Sequence, residues 1–358
     1  MLNVFQNHIT KNLNFLIESK LLIAISGGLD SVVLTHLCHA LKLDITLAHC
    51  NFKLRENESD EDERFVLELG DALGLEVFVQ YFDTETYAED EKLSIQMAAR
   101  ELRYNWFLDL AKNLKFNYIL TAHHADDNLE TFLINLSRGT GLNGLTGIPE
   151  INDTIVRPLL PFSREQLEQY AQKHDLNWRE DSSNASDKYL RNKLRHDVIP
   201  QLKEVNPELL QNFKKTLEHL NDSADIVNES LKTVEKHTLD SVDEHQVTYK
   251  ISEFKKLNNP KAYLYELFKA YGFSEWNDVV GLLDAQSGKQ VLSKTHRLIK
   301  DRTHLILTDL CHSNQNEEFF LINESDANID APFLSLLFDE VEALSKPSKK
   351  TIFVNKSA

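Results

Sequence analysis

The sequence predicts an α/β fold: a doubly wound parallel sheet, then a helical connector and a smaller C-terminal domain. Three observations carry that expectation. Short apolar runs alternate with helix-period segments through the first part of the chain. One run, Leu21 to Ile25, ends in the glycine turn Ser26-Gly27-Gly28-Leu29-Asp30-Ser31, which opens onto a helical pattern. The alternation then gives way to a long stretch from Pro207 to about Lys236 with few helix breakers, after which a different pattern begins.

Taken in order, Val4, Phe5, Ile9, Leu13, Leu16 and Ile17 have the spacing of an amphipathic helix interrupted by polar residues, which is not a signal-peptide core. Leu21–Ile25 reads as a buried parallel strand, because its apolar run is continuous. Val32, Val33, Leu37 and Leu41 give the following helix an apolar face. Asp44–His49 is a second strand, and Ser59 is positioned to cap the helix after it. Glu76–Phe82 is a third strand, Leu93–Leu114 a helix, Asn117–Ala122 a fourth strand and Asp126–Ser137 a helix.

Four of the eleven glycines fall within Arg138–Gly147, which marks a loop, and its place beside the strand ends makes it a candidate mobile one. Ser163 and Gln166 make a capping box for a helix to about His174. From Gln246 onward the pattern is a short strand, two helices (Lys261–Ala270 and Glu275–Ala285) and strands near Val291 and Leu305. It reads as a small α/β or mostly helical domain. The expected divisions are a catalytic domain over residues 1–205, a connector over 206–245, a small domain over 246–312, and the start of another over 313–358. An apparent strand, Thr351–Val354, stands near the end without an evident partner, so the expectation is a truncated final domain.

Composition narrows the function. A net charge of −17 argues against nonspecific nucleic-acid binding as the main activity, since phosphate neutralisation dominates such affinity. A local basic face is still compatible: Glu56–Glu63 and Asp83–Glu91 are strongly acidic, whereas Lys188–Lys203 is not. No run reaches membrane-spanning length, so no membrane role is expected. Cys38, Cys50 and Cys311 are widely spaced, with no C-x-x-C. This fits a reducing cytoplasm and lacks a zinc or sulfur-carrying signature.

The chemistry centres on Ser26–Ser31. A strand, a glycine turn and a helix N-terminus form an anion site: the first helical N–H groups lack partners, and glycine admits a phosphate to the backbone. It is not a Walker A loop, which needs Lys-Ser/Thr after its second glycine, nor a G-x-G-x-x-G fingerprint. In a doubly wound sheet ligands bind at the carboxyl ends of the strands. Ser26–Ser31, His49–Asn51 and His123–Asp127 are therefore expected on one rim. On a helix starting near Asp126, Asp127 and Glu130 share a face. Carboxylates beside a phosphate loop fit Mg²⁺, with Asp30 and Asp127 as the candidate ligands, or a substrate amine; the residues leave both open. An acidic helix N-terminus with no ligand is the ordinary alternative. A zinc site at His123, His124 and Asp127 is disfavoured, because adjacent histidines diverge.

Ser26-Gly27-Gly28-Leu29-Asp30-Ser31 resembles the SGG-x-DS loop of the PP-loop ATP pyrophosphatases, adenine nucleotide α-hydrolase-like proteins that cut ATP between its α and β phosphates. Further motifs follow in order: Ala99-Arg100-Glu101-Leu102-Arg103-Tyr104, His124-x-x-Asp127-Asn128-x-Glu130-Thr131, Arg138-Gly139-Thr140-Gly141, Arg157-Pro158-Leu159-Leu160, Glu180–Asn184, and Arg191-Asn192 with Arg195. Together they resemble the bacterial tRNA(Ile)-lysidine synthetase family from about Leu21 to Pro200, and more loosely to about Leu307.

The resemblance implies ATP and Mg²⁺ as cofactors, and L-lysine and a CAU-anticodon isoleucine tRNA as substrates. Its reaction adenylates C2 of the wobble cytidine, and lysine then displaces AMP. It implies that Ser26, Gly27, Gly28, Leu29, Asp30 and Ser31 bind the nucleotide, and that Asp30, Asp127, Glu130, Arg191 and Arg195 are catalytic. Arg100, Arg103, Lys188, Tyr189, Arg191 and Arg195 become candidates for substrate or tRNA contacts, and the domain at 246–312 another tRNA-contacting part. Lys188, Arg191 and Arg195 fall near one helical face; a solvated basic helix end is the alternative. Trp178 and Tyr189 are candidate base stackers or core residues. The rival readings are a PP-loop tRNA thiolase, for which no C-x-x-C exists, an amidotransferase, for which no glutaminase domain exists, and a catalytically silent nucleotide- or tRNA-binding module.

Overall fold

The computed structural model describes residues 1–54, 57–180 and 190–310 and two short paired strands, Asn328–Ala331 and Leu334–Leu337. The chain divides into two compact units, Met1–Val227 and Asn228–Ala358.

The first unit is built on β1 (Lys20–Ala24), β2 (Asp44–Asn51), β3 (Val77–Tyr81), β4 (Tyr118–Leu120), β5 (Ile151–Asn152) and β6 (Ile155–Val156), in the order β3-β2-β1-β4-β6-β5. All neighbours are parallel except β5 and β6, an antiparallel hairpin at the edge. The continuous apolar run of β1 is explained by burial on both faces. Leu21 and Ile23 belong to one core cluster and Leu22 to another, as alternation along a strand requires. The first cluster is covered by α1 (Leu2–Asn12) and α2 (Leu29–Ala40), through residues such as Phe5, Ile9, Val33 and Leu37. α3 (Asn57–Leu73) adds Val66 to the same cluster. The second cluster is covered by α5 (Ile95–Leu114) through Phe107 and Ala111; α4 (Thr84–Asp90) precedes it. The doubly wound expectation is met.

β1 is hydrogen-bonded to both β2 and β4, with Leu22 opposite Thr46 on one side and Ile119 on the other. The chain crosses from one side of β1 to the other between β3 and β4, so strand order reverses next to β1. That crevice lies beyond the carboxyl ends of β1 and β4, and their following loops are Ser26–Ser31 and Ala122–Asp127.

α6 (Ala125–Arg138) leaves this crevice and packs its Leu129 into a cluster with Ile199, Phe213 and Leu217. Those partners come from α10 (Ile199–Val205) and α11 (Leu209–Thr238). Between them in sequence lie α7 (Leu142–Leu145), α8 (Arg164–Lys173) and α9 (Leu190–Lys193). The glycine-rich segment is thus not all loop, since α7 forms within it. Asn135 donates to Gly144 O at 2.8 Å, and Asn128 Oδ1 accepts the Ile148 N–H at 2.7 Å, so α6 holds both sides of the segment. Two helix starts also differ from expectation. α3 is already helical at Asn57, with Ser59 buried inside its first turn, and the run at Leu93 begins only after the Ser94 cap. The Ser163–Gln166 capping box is present on α8.

In the second unit the mixed reading holds and the mostly helical alternative falls. Its centre is a five-stranded antiparallel sheet of β7 (Leu239–Val242), β8 (Gln246–Lys250), β9 (Gln290–Leu292), β10 (His296–Asp301) and β11 (His304–Asp309), ordered β7-β8-β11-β10-β9. Three short helices, Ile251–Lys255, Pro260–Phe268 and Trp276–Gly281, bury Phe254, Leu264, Phe268 and Val279 with Tyr249, Leu298 and Leu305. The connector helix α11 runs from the first unit into the second. Thr351–Val354 and the rest of the expected final domain lie outside the described residues, apart from the two short strands.

Gly27 has φ of +87°, and a Cβ there would stand 3.3 Å from Phe65 Cδ1. Gly27→Ala is expected to lower the unfolding free energy by about 1–2 kcal/mol, the cost of a left-handed non-glycine residue. Urea denaturation would test this, and an unchanged midpoint would mean the loop relaxes without strain.

Candidate active site

The glycine turn after β1 is organised by two serines. Ser31 Oγ donates to Gly28 O at 3.0 Å and accepts the Ser26 N–H at 3.3 Å, while the Gly28 N–H reaches Ser26 Oγ at 3.4 Å. Gly28, not an aspartate, occupies the N-cap of α2, and Asp30 sits in its first turn. A segment later in the chain crosses the turn: the Arg179 N–H donates to Gly27 O at 2.9 Å. Arg179 itself pairs with Glu61 at 2.7 Å and Asp62 at 3.1 Å at the start of α3. The loop is therefore braced in its turn conformation at the N-terminus of α2, the kind of place where anions bind.

Asp30 faces the neighbouring loop after β4. Its Oδ2 stands 3.5 Å from His124 Nε2 and 3.6 Å from Arg164 Nη1. Its Oδ1 is buried with no hydrogen-bond partner among the described residues. His124 is 1% exposed and caps α6 in a capping box usually made by serine or threonine. Its Nδ1 accepts the Asp127 N–H at 3.4 Å, and the His124 N–H donates to Asp127 Oδ2 at 3.1 Å. A backbone amide only donates, so the neutral ring carries its proton on Nε2, toward Asp30 and Asp127. Burial opposes charge on His124, yet the carboxylates of Asp127, Asp30 and Asp126 outweigh it and raise its pKa.

The three acidic residues of α6 have separate fates. Asp126 turns away from Asp127: its Oδ2 accepts the Arg164 N–H at 2.8 Å, and its Oδ1 pairs with Lys203. Burial raises the Asp126 pKa, but Lys203 and the Arg164 amide more than offset this and hold it low. Asp127 Oδ1 receives Arg195 at 3.1 Å and Arg191 at 3.4 Å. Its pKa is likewise held low, burial being outweighed by His124, His123 and Arg191. Glu130 is 1% exposed. Arg191 Nε donates to its Oε2 at 2.7 Å, while Arg195 Nε donates to its Oε1 at 2.6 Å and Nη2 to its Oε2 at 3.1 Å.

The structure thus brings together Asp30, Asp127, Glu130, Arg191 and Arg195. Arg191 and Arg195 point inward onto α6, so they are not part of a solvated basic face. Lys188 and Tyr189 lie outside the described residues. Arg100 lies over the Tyr104 ring, 4.8 Å from its centroid, and Arg103 over Phe52 at 5.3 Å. Both are exposed on α5, and neither forms an ion pair among the described residues. Trp178 packs against the core.

Sequence reasoning missed His124 as the cap, Arg164 beside Asp30, and the Lys203–Asp126 pair. A His-x-x-Asp spacing at the helix start is a usable signal for the first; nothing local marks the other two. No cluster of three or more metal-ligating side chains occurs among the described residues. The fit of a cation rests instead on the orphaned Asp30 Oδ1, a buried oxygen that costs free energy until a donor or cation meets it.

Residues 1–202 match the PP-loop domain model and residues 242–310 the TilS substrate binding domain model. The tRNA(Ile)-lysidine synthase of Bacteroides thetaiotaomicron is 41% identical over 302 residues, covering 84% of this chain and 70% of that protein. The chain belongs to the tRNA(Ile)-lysidine synthase family. The enzymes of that name from Porphyromonas gingivalis (40% identity, 87% of this chain, 68% of that one) and Chlorobaculum tepidum (36% identity, 75% and 85%) extend the match. Among solved structures, the U34-tRNA thiolase NcsA of Methanococcus maripaludis has a TM-score of 0.50 at 16% identity. It covers 61% of this chain and 79% of that one, a likeness of fold.

Two outcomes follow. Glu130→Ala removes three hydrogen bonds from two arginines that keep Asp127 as a partner and should cost about 1–3 kcal/mol, whereas Arg191→Ala leaves Glu130 held by Arg195 and should cost clearly less. Chemical denaturation of both variants checks the ranking; equal losses would mean that the pair does not act as one buried unit. Burial pushes the His123 pKa down to about 4 from the ordinary value near 6.5. The unfolded chain therefore takes up a proton first as pH falls, and stability declines from about pH 6.5 toward pH 4. His123→Asn should flatten the difference in urea midpoint between pH 7 and pH 5; an unchanged difference would place the acid sensitivity elsewhere.

Proposed function

We propose that this family member ligates L-lysine to C2 of the wobble cytidine of CAU-anticodon isoleucine tRNA. ATP first adenylates the cytidine, and the products are lysidine, AMP and pyrophosphate. One observation carries the assignment of roles: the phosphate loop with Asp30 faces a buried acidic pair, Asp127 and Glu130, occupied by two arginines. The loop Ser26–Ser31 supplies backbone N–H groups and a helix start for the pyrophosphate. This is placement and charge stabilisation.

Mg²⁺ fits the residues present. Asp30 would hold it through its orphaned Oδ1, with Asp127 joining if one arginine moves away. When bound it neutralises phosphate charge; the chain's own residues do the rest. The substrate ammonium needs carboxylates, and those of Asp127 and Glu130 are taken by Arg191 and Arg195. Guanidinium groups bind phosphate as well as carboxylate. Phosphates arriving on the loop or on the tRNA offer the arginines a second partner, and each arginine that leaves frees a carboxylate for lysine. His124 keeps Asp127 oriented throughout from its cap position.

Arg100 and Arg103, each over an aromatic ring and without ion-pair partners among the described residues, suit phosphates or bases of the anticodon loop. Lys188 and Tyr189 remain tRNA candidates by sequence. The antiparallel domain, by its match to a TilS substrate binding domain, is read as a second tRNA-contacting part. No helix among the described residues is long and apolar enough to cross a membrane, and a tRNA substrate suits a cytoplasmic enzyme. Sulfur transfer finds no support in Cys38, which is buried, or in Cys50, whose thiol burial pushes up to about 12.

The test is AMP release from labelled ATP with lysine and a CAU-anticodon isoleucine transcript, each omitted in turn. Lysine incorporation and AMP should both require the tRNA. AMP without lysine incorporation would keep adenylation and overturn the amine; no AMP at saturating tRNA would overturn the reaction. Asp30→Ala should fold and lose AMP formation by about a hundredfold or more, as expected for loss of a main charge-stabilising group. Unchanged turnover would remove Asp30 from the chemistry.

A further inference from the structure

The helix carrying Arg191 and Arg195 is not a plain α-helix. α9 runs into a π-helical turn, Leu194–Val198, and that turn into α10. The Ile199 N–H bonds to Leu194 O, five residues back. This winding has a consequence for three cations. In an unbroken α-helix, Arg195 and Lys203 would stand about 80° apart around the axis, and Arg191 and Lys203 about 120°. One extra residue in a turn reduces both to about 20°. All three then lie on one face, and all three meet α6: Arg191 and Arg195 at Asp127 and Glu130, Lys203 at Asp126.

A π turn is a less favourable winding than an α turn, so something must stabilise it. Ile199, buried against Leu129, Phe213 and Leu217, anchors the helix but does not choose its rotation alone. The Lys203–Asp126 pair stands where it can bias that rotation. Asp126 is held by the Arg164 N–H, so its position is set by the start of α8 and not by Lys203. A partly buried ion pair adds little net stability, but it discriminates between registers, because the wrong one leaves the carboxylate with the Arg164 N–H and no cation.

We propose that Lys203 is a positioning residue for the reaction: its pair with Asp126 holds the π-turn winding that keeps Arg191 and Arg195 on the acidic face of α6. Lys203 pairs with Asp126, not with Asp127 or Glu130; its effect passes through the two arginines. When the arginines exchange carboxylate for phosphate, Lys203 keeps the backbone of their helix in register. This rests on the lysidine-forming reading of the site.

The test compares Lys203→Met with Lys203→Arg in the full chain. Lys203→Met should lower kcat for AMP formation by about tenfold, the scale of a small misplacement of charge-stabilising groups, with KM for ATP changed less than about twofold. Lys203→Arg should restore most of the loss. The salt dependence of tRNA binding should be unchanged in both; a slope reduced by about one would mean that Lys203 contacts phosphate directly and would overturn the proposal. An unaltered kcat would also overturn it.

Asp126→Asn keeps an oxygen for the Arg164 N–H and removes the ion pair. It should lose as much kcat as Lys203→Met, and the double variant should lose no more; additive losses would overturn the pairing. Hydrogen exchange at the Ile199 amide should quicken in Lys203→Met, and unchanged exchange would mean that the π turn does not depend on the pair. That readout needs no turnover. A wild-type chain without tRNA-dependent AMP release would defeat the functional reading, while the exchange result would still decide the role of Lys203.

Discussion

Glu130 is a carboxylate taken almost wholly out of water, and the site depends on how that charge is compensated. An isolated buried carboxylate is prohibitively costly, so either it is neutralised or cations are brought to it. Here Arg191 and Arg195 come from a helix some sixty residues later in sequence and supply three hydrogen bonds to it. That demand fixes where the helix must lie. It also leaves Arg195 within electrostatic reach of Asp30, where it can serve a second anion. Structure and chemistry therefore draw on the same pair of charges.

The sheet makes the arrangement possible. Because β4 pairs directly with β1, the glycine turn after one strand and the acidic helix start after the other are neighbours without any long-range search. His124 connects them, capping α6 with one ring nitrogen and facing Asp30 and Asp127 with the other. Asp126 and Asp127 are adjacent in sequence yet serve opposite ends of the site. On a helix successive side chains diverge by about 100°, so one meets Arg195 and the other Lys203.

Much of this was legible beforehand. Continuous apolar runs ending in polar loops mark parallel strands, and a glycine turn before a helix marks an anion site, because both are local consequences of backbone geometry. Asp127 and Glu130 share a face by helical periodicity alone. The second unit was harder: its strands are short and half-exposed, and an antiparallel sheet with small helices has the same local signals as a small α/β domain. The glycine-rich segment read as a loop, and the turn of helix within it depends on contacts from Asn128 and Asn135 that no window of sequence contains.

By itself the sequence determined the alternation of strands and helices, the phosphate loop, the acidic face of α6 and the motif order that resembles the family, since each is set within a turn or two of chain. Tertiary structure alone decided that Arg191 and Arg195 turn inward and that Asp126 belongs to Lys203. It also decided that one π turn aligns three cations. Those choices follow from pairing buried charges across elements distant in sequence, an energy that exists only once the chain has packed.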